Sequence, residues 1–150
     1  MMRKTLILIA LALTASNAQA QLFPFLGQRP GQRGAPVVQG IDALRAEFAA
    51  QSGGTTIYYP ANGVTIGAPA KAVLAAQAAW LRRHPEIVVR IEGYGDGGDT
   101  RDHALAVGAR RAAEVRDYLV LLGVPAAQVS MTSWGKEKPG LGRAVTVLVR

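Results

Sequence analysis

The sequence predicts an α+β sandwich of order β-α-β-α-β-β, with two helices packed on one face of a small mixed sheet. Three observations carry that expectation. Two segments with apolar residues at helical spacing lie between residues 55 and 122, each preceded by a short strand-like run. Two further strand-like runs, "QVSMTSWG" and "RAVTVLVR", follow the second helix, and no segment repeats another.

The chain has 150 residues, enough for one domain with a core of its own. It opens "MMRKTLILIALALTASNAQA", a basic start, an apolar run and small residues ending in Ala18-Gln19-Ala20. Residues 1–20 therefore read as a secretory signal peptide, with the mature chain starting at Gln21. The apolar run falls short of the ~20 residues that a membrane-spanning helix needs. The expected location is the periplasm, with the outer membrane as a site of association.

Residues 21–54 read as a tether, because Pro24, Gly27, Pro30, Gly31, Gly34 and Pro36 interrupt any periodicity. Within it, Ile41, Leu44 and Phe48 predict a short amphipathic helix over 41–51 that packs on the domain over 55–150. That domain begins with "TTIYY", a first strand. A helix follows, with Gly67 at its cap, Pro69 in its first turn, Leu74, Ala78 and Leu81 along one face, and Arg82-Arg83 at its end. "EIVVRIEG" alternates Ile87, Val89 and Ile91 and reads as the second strand. The second helix is predicted from about Ala109 to Leu122, with Ala112, Val115, Leu119 and Leu122 facing inward and Gly123 stopping it.

Cysteine is absent, which excludes disulfides, thiolate metal sites, a cysteine nucleophile and a lipid-bearing cysteine within the sequence. Attachment to a surface is then expected to be non-covalent. The formal charge is +7, and removing Arg3 and Lys4 with the signal leaves +5. Such a balance favours anionic partners, among them nucleic acid, anionic lipid and acidic cell-wall peptides. Nucleic acid is not expected, since the chain has an export signal and shows no aromatic-basic face.

Between the second strand and second helix lies "YGDGGDTRDHALAVG", rich in glycine and acid. One straight helix from Asp102 would carry Arg111 roughly 14 Å along its axis, away from Asp96. A break at Val107-Gly108, with Gly108 as N-cap, would instead fold "TRDHALA" into a turn and bring Asp96 and Arg111 to one pocket. An opposed carboxylate and guanidinium recognise a group bearing both an ammonium and a carboxylate. Alternatively the two pair with each other, or Arg111 pairs with Asp99 or Asp102. Replacing either by alanine is expected to abolish ligand binding without unfolding the domain.

Asp96, Asp99 and Asp102 recur every third residue, whereas a calcium loop needs acids at alternate positions and a distant glutamate. His84 and His103 lack partners at ligand spacing, so no metal or cofactor is expected. No Ser-His-Asp arrangement, phosphate loop or paired carboxylates point to an enzyme. Trp80 and Trp134 read as packing residues.

The run "IEGYGDGGDTRDHALAVGARRAAEVRDYL", with "GVPAAQVS" and "GKEKP" after it, resembles the OmpA-like peptidoglycan-binding domain of outer-membrane protein A and the peptidoglycan-associated lipoprotein. The resemblance covers about residues 55–150, with the family's Gly-His-(Thr/Ala)-Asp motif at 93–96 and its Leu-Ser/Gly-x-x-Arg-Ala motif at 107–112. It implies a non-catalytic module in which Asp96 and Arg111 hold the diaminopimelate of a wall stem peptide, with Gly95, Gly97, Ala104, Val107 and Arg143 around them. The sequence departs from the family at several points. Tyr94 and Gly95 replace histidine and threonine or alanine, Ala104 replaces the usual asparagine, and Tyr58-Tyr59-Pro60 replaces the first strand's aromatic-acid signature. After Pro139 the family's longer segment is reduced to "GLGRAV", keeping only Arg143. The alternative is a degenerate domain of this fold that binds another envelope protein. The tether could in that case join an outer-membrane or periplasmic protein.

Overall fold

Phe48 and Trp80 set the first packing contact of the computed structural model, which describes residues 40–150; the signal peptide expected at 1–20 and the tether expected up to residue 39 lie outside the described residues. Helix α1 (Ile41–Ser52) ends at Gly53, whose φ of 71° is left-handed and whose N–H donates to the Ala49 carbonyl. Its fully buried Phe48 meets Trp80 edge-on, with ring centroids 5.1 Å apart. The short helix expected at 41–51 is therefore present, and it packs as its apolar spacing requires.

Strand β1 (Thr56–Tyr58) buries Ile57, exposes Tyr58 and stops before Pro60, which has no N–H to continue a ladder. Helix α2 (Ala68–Arg83) starts after Gly67 with a proline in its first turn, and it ends in Arg82 and Arg83. It buries Leu74, Gln77, Ala78, Trp80 and Leu81. Strand β2 (Val89–Tyr94) precedes the long helix α3 (Arg101–Leu121), a 3₁₀ turn (Ala126–Gln128), β3 (Val129–Gly135) and β4 (Arg143–Leu148). The sheet order is β1-β4-β2-β3, with β2 parallel to β3 and antiparallel to β4. This is the predicted mixed sheet, with α1 as a third helix contributing to the same core.

Val89 and Ile91 of β2 and Ala144, Thr146 and Leu148 of β4 are buried beneath the helices. Buried Gln77 is satisfied there: its amide N–H donates to the Gly54 carbonyl at 3.0 Å, and its oxygen accepts from the Thr146 hydroxyl at 2.8 Å. On β2, Arg90 and the Tyr94 hydroxyl donate to the Glu92 carboxylate at 2.8 and 3.0 Å. Burial works against Glu92's charge, but these bonds outweigh it and hold the carboxyl below its usual range.

The expected break at Gly108 is absent. Helix α3 runs unbroken through 21 residues, and its N-cap is Thr100, whose hydroxyl accepts from the His103 N–H at 3.3 Å. Gly108 serves a different purpose: a Cβ on Gly93 would fall 1.8 Å from the Gly108 carbonyl oxygen, and one on Gly108 would fall 2.4 Å from Ser133 Oγ. This glycine pair lets the helix backbone lie directly on β2, an approach no larger residue permits. Among the described residues, no helix is long and apolar enough to cross a membrane.

Candidate functional site

A continuous helix still brings Asp96 and Arg111 together, because α3 doubles back over the strand it follows. Gly95 lies against Ala104, and Gly93 against Gly108 and Ala112, so later helix residues overlie earlier strand residues. Helical side chains also lean toward the helix N-terminus. Arg111 therefore points back toward the loop that holds Asp96.

The third component is a turn. Gly63 N–H donates to the Pro60 carbonyl at 2.9 Å, and Asn62 takes φ 57°, a left-handed conformation that asparagine tolerates better than most residues. The Asn62 N–H then donates to Asp96 Oδ2 at 2.7 Å. The loops are stitched to one another: Gly142 N–H donates to Gly95 O and Tyr59 N–H to Gly142 O, each at 2.9 Å.

Arg111 closes this frame. Its Nε donates to Gly63 O at 2.7 Å. Nη1 donates to Tyr94 O at 2.8 Å and Asp96 Oδ1 at 3.1 Å. Nη2 donates to Pro60 O at 3.2 Å and Asp96 Oδ2 at 3.1 Å. A guanidinium has five N–H donors, and here every one is used. The Arg111 side chain is 0% exposed, whereas that of Asp96 is 20% exposed. Of the pairings open to Arg111, the one with Asp96 forms; Asp99 instead faces His103 at 3.7 Å. The hydrogen bonds from Arg111, helped by the Asn62 N–H, hold the Asp96 carboxyl below its usual range against the effect of burial. Tyr59 lies beside the pair, its ring centroid 5.1 Å from the guanidinium carbon. Burial pushes its phenol up to about 12 although the Arg111 charge opposes this.

The other expected site residues divide. Gly97 is exposed at the mouth, and Arg143 is partly buried with its guanidinium carbon 5.2 Å from the Tyr94 ring centroid. Ala104 and Val107 lie on the buried face of α3 and Gly95 is pressed against Ala104, so these three form the wall behind the loop. Sequence reasoning missed Pro60, Asn62 and Gly63. The "PANG" pattern marks a turn, but nothing local indicates that its carbonyls meet an arginine 48 and 51 residues away. It also missed a cleft of about 560 Å³ beside Asp96, lined by Gly97, Lys136, Lys138 and Leu141 among others. Among the described residues, no group of three or more His, Cys, Asp or Glu is placed to hold a metal ion.

Residues 58–145 match the OmpA family. The chain belongs to the OmpA family. Its OmpA domain is 44% identical over 86 residues to the peptidoglycan-associated lipoprotein of Agrobacterium fabrum, covering 57% of this chain and 49% of that protein. It is 46% identical, with the same coverage, to that of Rhizobium meliloti. The chain thus spans about half the length of the curated relatives it matches, at 49% of each. Among solved structures, the peptidoglycan-associated lipoprotein of Burkholderia pseudomallei superposes with a TM-score of 0.62 at 33% identity, covering 64% of this chain and 91% of that one. The C-terminal domain of Helicobacter pylori MotB, with a TM-score of 0.58 and 18% identity, shares the OmpA fold.

Proposed function

We propose that this domain is a non-catalytic periplasmic module that docks non-covalently onto peptidoglycan, with the Asp96–Arg111 pair receiving the diaminopimelate of a stem peptide. The observation that carries the reading is the asymmetry of the pair. Asp96 presents an ionised, partly exposed carboxylate at the mouth, while the buried arginine behind it fixes its position. An ammonium entering the mouth meets Asp96 Oδ2. The adjoining carboxylate then replaces that oxygen on Arg111 Nη2. The exchange substitutes one charged hydrogen bond for another and adds the ammonium–aspartate contact. The 33–46% identity to proteins named for association with peptidoglycan supports the same reading.

The test is co-sedimentation of the exported chain with isolated sacculi. Diaminopimelate wall should pellet the parent, and Asp96→Ala should abolish most of the binding. Lysine-type wall offers the ammonium without its carboxylate, and it should bind about ten- to a hundredfold more weakly, the worth of one charged hydrogen bond. Parent-like pelleting by Asp96→Ala would overturn the reading.

One observation favours a second function, a protein-interaction module of the cell envelope. The Arg111 fork is already filled from within. That function requires no sacculus binding by the parent together with co-purification of an outer-membrane or periplasmic partner that survives Asp96→Ala.

A further inference from the structure

Arg111 has room for one ligand carboxylate at most, and only by exchange, because its other bonds fix the backbone of the site. A wall stem peptide carries further carboxylates beyond the one beside its ammonium. Something else near Asp96 must meet them or leave them to solvent.

We propose that the cleft bounded by Gly97, Lys136, Lys138 and Leu141 is a carboxylate subsite that takes a second acidic group of the wall peptide, with Lys136 and Lys138 as its cations. The inference rests on the peptidoglycan reading and deepens it. The cleft begins where the Asp96 mouth ends: a Cβ on Gly97 would fall 2.8 Å from Leu141 Cδ1, and one on Gly142 would fall 3.7 Å from Asp96 Oδ1. At about 560 Å³ it is of ligand-pocket size.

Its charge is positive because its one acid is occupied. Glu137 accepts from Arg101 Nε at 2.6 Å. Lys136 spends one N–H on the Asp99 carbonyl at 2.6 Å, and an ammonium has three. That bond holds Lys136 against the start of α3 and leaves two donors for the cleft. Lys138 sits 3.4 Å above the Trp134 ring centroid, a cation–π contact that positions the ammonium while leaving donors for an anion. The two lysines flank Glu137 on the same turn, each anchored by a different neighbour. The short "GLG" that follows Pro139 returns the chain to β4 beside the cleft.

Calorimetry on the full chain tests the inference with two probes. One is the wall tripeptide L-alanyl-γ-D-glutamyl-diaminopimelate with its glutamyl α-carboxylate free; the other is the same peptide carrying a carboxamide there. The parent should prefer the free acid by about three- to twentyfold, the range for two solvent-facing charge contacts. Lys136→Gln/Lys138→Gln should lose that preference and still bind the amide. Lys71→Gln/Arg82→Gln removes the same charge from the exposed side of α2, and it should retain the preference. Equal binding of both probes by the parent, or an unchanged preference in the Lys136/Lys138 variant, overturns the subsite. In either case the peptidoglycan reading stands so long as the parent binds and Asp96→Ala does not. Failure of the parent to bind either probe removes both.

Discussion

Arg111→Ala should destabilise the domain severely, contrary to the expectation from sequence that it would remove binding alone. The substitution deletes a side chain with no exposed surface and five hydrogen bonds to the domain. The Pro60 and Gly63 carbonyls lie in an exposed turn and regain water, but the Tyr94 carbonyl is enclosed, which costs about 1–3 kcal/mol. Emptying the space of so large a buried side chain adds about 2–5 kcal/mol. The total, about 3–8 kcal/mol, is comparable with the whole stability of a small domain. At about 4 °C per kcal/mol the melting temperature should fall by at least ~12 °C. Arg111→Lys keeps the charge but offers three donors where five are used, so it should fall about midway. Thermal melts of the full chain followed by circular dichroism measure all three. A midpoint for Arg111→Ala within ~4 °C of the parent would refute the account of Arg111 as the closure of the site.

Asp96→Asn should abolish wall binding at a stability cost of only about 1–2 kcal/mol, because the carboxylate is partly exposed and Arg111 keeps its carbonyl partners. The Asp96 carboxyl is held below its usual range, so its contribution is present above pH ~4 and is lost as pH falls through the folded value. Urea titrations of Asp96→Asn should therefore show a shallower acid-side decline, and an unchanged slope would count against the pairing. At the alkaline end, the Tyr59 phenol is raised from 10.0 to about 12, so its contribution is present below pH 10 and lost as pH rises toward 12. Tyr59→Phe should flatten that loss in the same titration. Gly93→Ala should cost about 3 kcal/mol in chemical denaturation, since its Cβ would meet the Gly108 carbonyl at 1.8 Å; a neutral result would contradict the close strand–helix approach.

The parts of the fold governed by local periodicity were legible in the sequence. Leu74, Ala78 and Leu81 mark α2, Val89 and Ile91 mark β2, and Ile41, Leu44 and Phe48 mark α1. Gly108 was misread because a glycine in a helix has two physical meanings, a terminus or a close approach, and only the opposing Gly93 decides between them. The rejection of a straight helix failed for a related reason. Distance along the axis was counted from the helix start, while the strand and helix run back over each other and Asp96 is met on the return. The pairing of Asp96 with Arg111 was among the alternatives read from charge alone. Its depth was not, because the Pro60 and Gly63 carbonyls that enclose Arg111 arrive from a turn before α2.

Because the guanidinium ties residues 60, 63, 94 and 96 to one point on α3, the candidate site is also a checkpoint on the docking of the first turn and the end of β2 against that helix. A copy in which the first turn has come away retains Asp96 but loses the geometry around it, so partial opening should silence recognition before most of the helix content disappears. Conversely, an occupied mouth would hold the turn, the end of β2 and α3 at once, and each tenfold excess of ligand over its dissociation constant would add about 1.4 kcal/mol against global unfolding. Attachment to a wall would thus act as a brace on the domain, and detached copies would be the first to be cleared by proteolysis.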